Sequence, residues 1–444
     1  MTNYKYYKLI SGYFIIVVVS FYTAHYITFG LVENILDMYT GASVFTISIY
    51  MFALSSLNER NPLSSSFFVK LILALLYAGT LSSGLSYYLK VWRFAPRILL
   101  FSSILILIFV YLYRIALYLF SSKHIENIII IGTGKAATLL GKEIEKYPNL
   151  YSLKGYIDYE KSTYQDIAPE KVYRDIDKVP KILEDNNIDL IILANDLEPE
   201  DKLLKTVVDM KLSGYNVVFM ASFYELITGK VPVKFINNNW FIASHFHAVF
   251  NRFYVNFKRA SDIFMASVGL ILSSPIMIIT ALIIKLQDGG PVFFLQDRVG
   301  AQGKIFKIFK FRSMSVGSEK GNKYTQDNDP RITKIGSFIR KTRIDELPQF
   351  FNVLVGDMSM IGPRAEWDKL VNEYEKKIPY YSIRHVVKPG ITGWAQVEYK
   401  YGASVDDTFE KLQYDLYYIK HQSLVLDITI VLKTIKVILS LGGK

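Results

Sequence analysis

The chain of 444 residues contains no cysteine. That absence excludes disulfides, a thiol nucleophile and zinc–thiolate centres. Charge is also sparse: 20% of residues are charged, against 51% that are hydrophobic. Such a composition excludes a disordered or collagen-like chain. It also argues against a purely soluble protein, because so much apolar surface must be covered. At roughly 150 residues per domain, the length suits about three modules. The net charge of +11 favours anionic partners, whether nucleic acid, acidic lipid or a phosphate-rich substrate.

The apolar residues are concentrated at the N-terminus. Four runs, Leu9 to Phe29, Gly41 to Leu57, Phe67 to Leu89 and Arg97 to Phe120, each approach the ~20 residues that cross a hydrocarbon layer. Aromatic residues crowd their ends, among them Tyr4, Tyr6, Tyr7, Tyr87, Tyr88 and Trp92, as interfacial belts require. The first run is too long for a simple signal peptide and lacks a small-residue cleavage site. Lys5 and Lys8 before it, and Glu33 and Asp37 after it, favour a cytoplasmic N-terminus, while Lys90 and Arg93 in the third loop pull the other way. Arg114, inside the fourth run, is expected to snorkel or to pack against a neighbouring helix.

A second module, residues 123–227, reads as Rossmann-like. The β-branched run Asn127 to Ile131 leads into Gly132-Thr-Gly134-Lys-Ala-Ala137 and then a helical pattern through Lys146. Strand, glycine turn and helix is the setting of a dinucleotide fingerprint, with Ala137 in place of the third glycine and Asp158 near the position of a ribose-binding acid. Further strands are expected at Leu153 to Ile157, Leu190 to Leu193 and Asn216 to Met220, giving a parallel sheet. No nearby residue resembles a hydride-transfer acid or base. The module therefore reads first as a scaffold that binds no dinucleotide and serves dimerisation or regulation, with dinucleotide binding the alternative. Residues 228–257 read as a linker, in which His245 and His247 lack an evident third metal ligand.

The last module, 258–444, opens with a fifth apolar run, Ile263 to Ile284. As a straight helix it would measure about 33 Å, but Ser273-Ser-Pro275 falls at its centre, where proline predicts a kink. If the middle module is cytoplasmic, a spanning helix would separate the last module from cytoplasmic nucleotides. Re-entry over 260–286 keeps both on one side. Arg298, Lys304, Lys307, Lys310 and Arg312 then form a cationic stretch suited to phosphate oxygens or to anionic lipid. The adjacent membrane segment argues against nucleic acid. In Arg340-Lys-Thr-Arg343-Ile-Asp345-Glu346, two carboxylates sit among three cations. They could face a helix N-terminus. Alternatively, one could attack phosphorus while the other holds a divalent ion, for which hard oxygen ligands and a pyrophosphate favour Mg²⁺. Gly356-Asp-Met-Ser-Met-Ile-Gly362-Pro-Arg364 and Lys388 to Val397 are glycine- and proline-punctuated loops able to shape such a site. Leu424 to Leu441 reads as an amphipathic interfacial helix.

Lys310-Phe-Arg-Ser-Met314, Asp345-Glu-Leu-Pro-Gln349, Gly356-Asp-Met-Ser, Ile361-Gly-Pro-Arg364 and Pro389 to Gln396 stand in the order found in bacterial polyprenyl-phosphate sugar-phosphotransferases. The chain resembles the long form of that family. The resemblance implies a membrane α plus α/β protein: a four-helix transmembrane region (1–122), a Rossmann-like domain, and a monotopic catalytic domain with a re-entrant helix broken at Ser274-Pro275. It implies transfer of a hexose-1-phosphate from a UDP-sugar to undecaprenyl phosphate with release of UMP, at the inner membrane and facing the cytoplasm, to begin exopolysaccharide, capsule or O-antigen synthesis. Asp345 would be the nucleophile of a ping-pong reaction. Asp345 and Glu346 would hold Mg²⁺, and Arg298, Lys310, Arg312, Arg340 and Arg364 would bind phosphates. Ala365 departs from the family's usual Gly-Pro-Arg-Pro. A homodimer through the middle domain is compatible with this reading. Two rivals stay open: an NAD-dependent nucleotide-sugar-modifying enzyme, and a non-catalytic scaffold for polysaccharide export.

Overall fold

A computed structural model describes residues 3–29, 46–55, 57, 65–88, 96–120, 125–158, 167–175, 178–194, 202–244, 246, 251–317, 329–399, 402 and 404–439. His245 and His247, like Glu33, Asp37, Lys90 and Arg93, lie outside the described residues. The chain divides into two compact units, 1–122 and 123–444.

The first unit holds α1 (Asn3–Phe29), α2 (Thr46–Ser55), α3 (Ser65–Tyr88) and α4 (Pro96–Phe120). Stretches of α1, α3 and α4 are long and apolar enough to cross a membrane. The second apolar run is described only as the short α2 and Leu57. Tyr13, Val17 and Ala24 of α1 pack with Tyr50 and Leu54 of α2, Leu71 and Ala78 of α3, and Ile106 and Val110 of α4. Arg114 is buried and lies 4.9 Å over the Phe67 ring, so it packs against a neighbouring helix. Ile15, Phe52 and Leu100 point outward, as lipid contact requires.

The second unit begins with β1 (Glu126–Ile131), α5 (Lys135–Ile144), β2 (Tyr151–Ile157), β3 (Val172–Tyr173), α6 (Val179–Asp185), β4 (Leu190–Leu193), α7 (Lys202–Leu212), β5 (Asn216–Phe219) and α8 (Met220–Thr228). The five strands are all parallel, in the order β3-β2-β1-β4-β5. Alternate residues of β1 serve opposite faces. Ile128 and Ile130 join one apolar core, and Ile129 and Ile131 the other. A strand covered on both sides reads as an unbroken apolar run, which is why this one is visible in the sequence. β3 has only two residues, too few to show any periodicity.

From Gly229 the chain enters the C-terminal core. Val231, Val233 and Ile236 are buried there with Tyr374, Leu412 and Leu416. Further ties come from the Trp394 indole, which donates to Gly229 O at 2.9 Å, and from Glu225, which accepts from Lys420 at 2.9 Å and pairs with His421 at 2.8 Å. α9 (Asn238–Ala243) precedes α10 (Arg252–Asp288), a helix of 37 residues. At 1.5 Å per residue α10 is roughly 55 Å long. It begins well before the expected membrane run, with the Asn251 side chain accepting from Tyr254 N. The helical assignment continues through Pro275. Ser274 Oγ donates to Ile271 O at 2.8 Å, the carbonyl that Pro275 has no N–H to serve. Asp262, Ala266, Ser273, Thr280 and Ile284 form one buried stripe. Phe264, Ile271, Leu272, Ile278 and Leu286 are more than half exposed.

Next come the antiparallel hairpin of β6 (Phe293–Val299) and β7 (Ile305–Phe311), α11 (Lys334–Lys341), α12 (Gln349–Val355) and β8 (Ser359–Ile361). The chain ends with α13 (Asp368–Lys377), β9 (Gly390–Thr392), α14 (Trp394–Glu398), α15 (Val405–Lys420) and α16 (Leu424–Leu439). β8 and β9 pair in parallel, which brings two distant glycine loops together. A Cβ at Gly390 would collide with Gly362 N and Thr392 O, and a Cβ at Gly393 with Gly362 O. These loops touch backbone to backbone. Gly390→Ala is expected to cost about 3 kcal/mol by overpacking and to lower the thermal unfolding midpoint of the detergent-solubilised protein. An unchanged midpoint would contradict this packing.

Candidate active site

Asp345 and Glu346 occupy a 3₁₀ turn, Ile344–Glu346, between α11 and α12. The turn is entered through Arg343 in the left-handed region, at φ 60°. This conformation is uncommon outside glycine, and it reverses the chain so that both carboxylates face β7. On β7, Phe306, Ile308 and Lys310 share a face by strand alternation. Phe306 and Ile308 are buried against Val353 and Met358. Lys310 is carried inward with them and meets Glu346 Oε1 at 2.9 Å.

Glu346 is surrounded by cations. Beside Lys310, Arg364 Nη2 donates to Oε1 at 3.3 Å, and Arg343 Nη1 lies 3.6 Å from Oε2. Burial works against its charge, but the Lys310, Arg364 and Arg343 cations outweigh burial and hold the carboxyl well below the usual range. Asp345 differs. It is buried, yet it accepts no hydrogen bond among the described residues. Burial raises its pKa above the ordinary aspartate value. The Lys310 cation draws it back, the Glu346 charge adds to the rise, and Arg340 and Arg364 oppose it. Lys310 itself is lowered by burial, against the pull of Glu346. Two adjacent carboxylates are thus made unlike: one saturated by cations, one uncommitted.

The structure brings Asp345, Glu346, Lys310, Arg340 and Arg364 into one electrostatic cluster. Arg298 stands behind it, donating to Ala365 O at 2.9 Å and Gln296 Oε1 at 2.6 Å while adding its charge to the field at Lys310. Arg312 faces elsewhere. Its guanidinium is buried against Asp288 and the Ile284 carbonyl at the C-terminal end of α10. Lys304 and Lys307 are exposed, on the hairpin's outer side or tip. The pleat turns Lys307 away, Arg312 lies past the end of β7 and turns to Asp288, and of these five residues only Lys310 touches the dyad.

Several supporting residues carry no signal in the sequence, because their partners lie far along the chain. Arg384 Nη2 donates to Arg364 O at 3.0 Å and to Asp415 at 2.8 Å, and Nη1 donates to Tyr381 Oη at 2.6 Å. Asn352, fully buried, donates to Lys307 O at 2.7 Å and accepts from Phe309 N at 3.0 Å, fixing α12 to β7. Arg259 caps α12 through Val353 O and Leu354 O, and Asp262 accepts from Ser359 Oγ and Met360 N. These ties join α10 to the elements that carry the site.

Residues 253–441 match the model of the bacterial sugar transferase family. An exopolysaccharide production protein of Rhizobium leguminosarum bv. phaseoli is 40% identical over 185 residues, 40% of this chain and 92% of that protein. The chain belongs to the bacterial sugar transferase family. It is also 49% identical, over 49% of its length, to half of a UDP-N-acetylgalactosamine-undecaprenyl-phosphate N-acetylgalactosaminephosphotransferase of Aeromonas hydrophila. It is 48% identical, over 40% of its length, to 39% of a UDP-glucose:undecaprenyl-phosphate glucose-1-phosphate transferase of Escherichia coli (strain K12). The matched part thus spans half or less of these two relatives. The shared region contains the whole dyad cluster.

An ionised Asp345 is lost as pH falls through its pKa, so a higher pKa means loss at a higher pH. Lys310→Met removes the cation that most lowers it. The acid limb of the pH–rate profile is expected to move to higher pH. A limb that stays in place would show that Asp345 ionisation does not control activity.

Proposed function

We propose that this chain transfers a sugar-1-phosphate from a UDP-sugar to undecaprenyl phosphate, releasing UMP. The observation that carries the reading is the asymmetry of the dyad, with Glu346 held by three cations and Asp345 left without a hydrogen bond among the described residues. A carboxylate that is not committed to a partner is available as a nucleophile toward phosphorus. The relatives' names, which specify UDP-sugars and undecaprenyl phosphate, support the substrate classes.

In the proposed first step an Asp345 oxygen attacks the phosphorus that bears the sugar. The bond to the bridging oxygen breaks and UMP leaves with that oxygen. In the second step a phosphate oxygen of undecaprenyl phosphate attacks the same phosphorus, forming the lipid diphosphate and returning the Asp345 carboxylate. Departure of UMP before the second anion binds limits charge repulsion. Arg364, Lys310 and Arg340 supply positive charge where pyrophosphate charge accumulates.

The donor set also fits Mg²⁺, which is commonly held by one or two carboxylates together with substrate phosphates. Asp345 and Glu346 are hard oxygen donors, and Oε2 of Glu346 has only the 3.6 Å Arg343 contact in the ion pairs of the described residues. No third acidic or histidine ligand joins them among the described residues. When bound, the ion would neutralise pyrophosphate and leaving-group charge.

The exposed apolar surface of α10 supports placing the dyad at the headgroup level, which the lipid phosphate cannot leave. Entry and return of α10 on the cytoplasmic face of the inner membrane would keep both modules of the second unit beside their nucleotide substrate. The sugar donor is a UDP-hexose or UDP-N-acetylhexosamine, the two kinds named among the relatives.

Nanodisc-embedded protein given undecaprenyl phosphate, Mg²⁺ and a panel of UDP-sugars should release UMP with a preferred donor. Asp345→Asn is expected to reduce the rate by at least about 10⁴-fold, the scale of removing a covalent nucleophile. Turnover at the wild-type rate in that variant would refute the covalent route. Chelation with EDTA should abolish UMP release and added Mg²⁺ should restore it, whereas release that is insensitive to chelation would remove the metal from the reaction.

A further inference from the structure

We infer that the middle module holds a second nucleotide site, for a ligand with a pyrophosphate and an unphosphorylated ribose diol, at the Gly132–Gly134 turn and Asp158. Three features of the module converge there. The first is topology. β1 and β4 are adjacent parallel strands, and the chain continues from β1 toward β2 and from β4 toward β5, in opposite directions. Their C-terminal ends therefore flank a crevice of the kind in which open α/β sheets bind ligands. Gly132 N bonds to Ile157 O at 2.9 Å and Ala194 N to Ile131 O at 2.9 Å, so the turn sits at the ends of three strands.

The second feature is the turn itself. Gly132, at φ 114°, has a conformation that demands glycine. Gly134 does not. At φ −68° and ψ −179° its backbone is open to any residue, so strain does not call for glycine there. Gly134 is the N-cap of the ten-residue α5, whose N-terminus has no side-chain cap. Uncapped amides and the positive end of the helix dipole favour a phosphate group.

The third feature is independent of the helix. Asp158, at the end of β2, is 1% exposed. Its Oδ1 accepts from Thr133 Oγ1 at 3.1 Å, which aims the carboxylate at the turn. Its Oδ2 is buried with no hydrogen-bond partner among the described residues, and Arg174 Nε pairs with it only at 3.8 Å. A buried carboxylate oxygen without a donor is costly. The hydroxyls of a ribose diol are donors that would satisfy it, whereas a 2′-phosphate would meet its charge. The chemistry thus selects a nucleoside pyrophosphate with free 2′- and 3′-hydroxyls. This site does not depend on the transferase reading of the dyad.

The test uses full-length protein in nanodiscs with NAD⁺, ADP-ribose and NADP⁺ as probes, none of them the proposed transferase donor. NAD⁺ and ADP-ribose should bind saturably at one site per chain, with NADP⁺ weaker. Asp158→Asn and Gly134→Val should each weaken binding about tenfold or more, the effect of losing a charge-assisted hydrogen bond or of filling the approach to the helix. UMP release by both variants should stay at the wild-type rate, and Asp345→Asn should bind NAD⁺ normally. Hydrogen exchange provides a readout on the unaltered protein: NAD⁺ should slow the amides of 132–138. No binding of any probe at millimolar concentration, tighter binding of NADP⁺, affinity unchanged in both variants, or protection confined to other segments would each overturn the site.

Discussion

A carboxylate taken out of water must be met by cations or it will not stay ionised, and in this protein Glu346 sets that condition for everything around it. Lys310 reaches it from a strand, Arg343 from the turn itself and Arg364 from a loop between two short strands. Three separate chain segments are thus drawn to one point. The same grip makes the dyad asymmetric. Burial, and next the neighbouring Glu346 charge, keep the Asp345 pKa raised against the pull of Lys310, whose hydrogen bond goes to Glu346. In a low-dielectric site, that division turns two neighbouring acids into groups with different roles.

A second tier of polar contacts fixes the first. Arg384, buried with Asp415 and Tyr381, holds the Arg364 carbonyl, and Arg298 holds the next one. Burial pushes the Asp415 carboxyl up to about 6 against the pull of Arg384, which shows how dry this layer is. On the other side, Arg259 and Asp262 of α10 grip α12 and β8. The long helix is therefore both an apolar element, long enough to cross a membrane, and a structural support of the unit's charged dyad region. One narrow stripe faces protein and the remainder of its surface is apolar and open.

Much of this was legible in the residues. The continuous Ile128–Ile131 run, the glycine turn after it and the first, third and fourth apolar segments rest on local pattern and appear as expected, whereas the second is described only as the short α2 and Leu57. The Asp345–Glu346 pair stood out because it is local too. What stayed hidden was non-local or too short to carry a pattern. The two-residue β3 has no period. The Arg384–Asp415 pair and the Asn352 bridge join residues that sequence spacing cannot associate. The cationic stretch shows the limit most clearly. Lys304 through Arg312 read as one cradle, but strand alternation and the hairpin turn lead them to different surroundings, with Arg312 buried against Asp288 and Lys310 against Glu346. Charge composition predicted the sign of the site, and the partner each cation meets in the fold decided its membership.

The contact of Gly362 with Gly390 and Gly393 has a consequence for how such a protein can diversify. Where two backbones touch, there is no side chain to exchange and no gap to enlarge. The loop that delivers Arg364 to the dyad is consequently closed to gradual remodelling, since almost any substitution at its glycines alters the backbone path and with it the charge arrangement. Change in what is accepted must come from the periphery, where side chains project freely. The interlocked glycines set a fixed backbone beside side chains that are free to change.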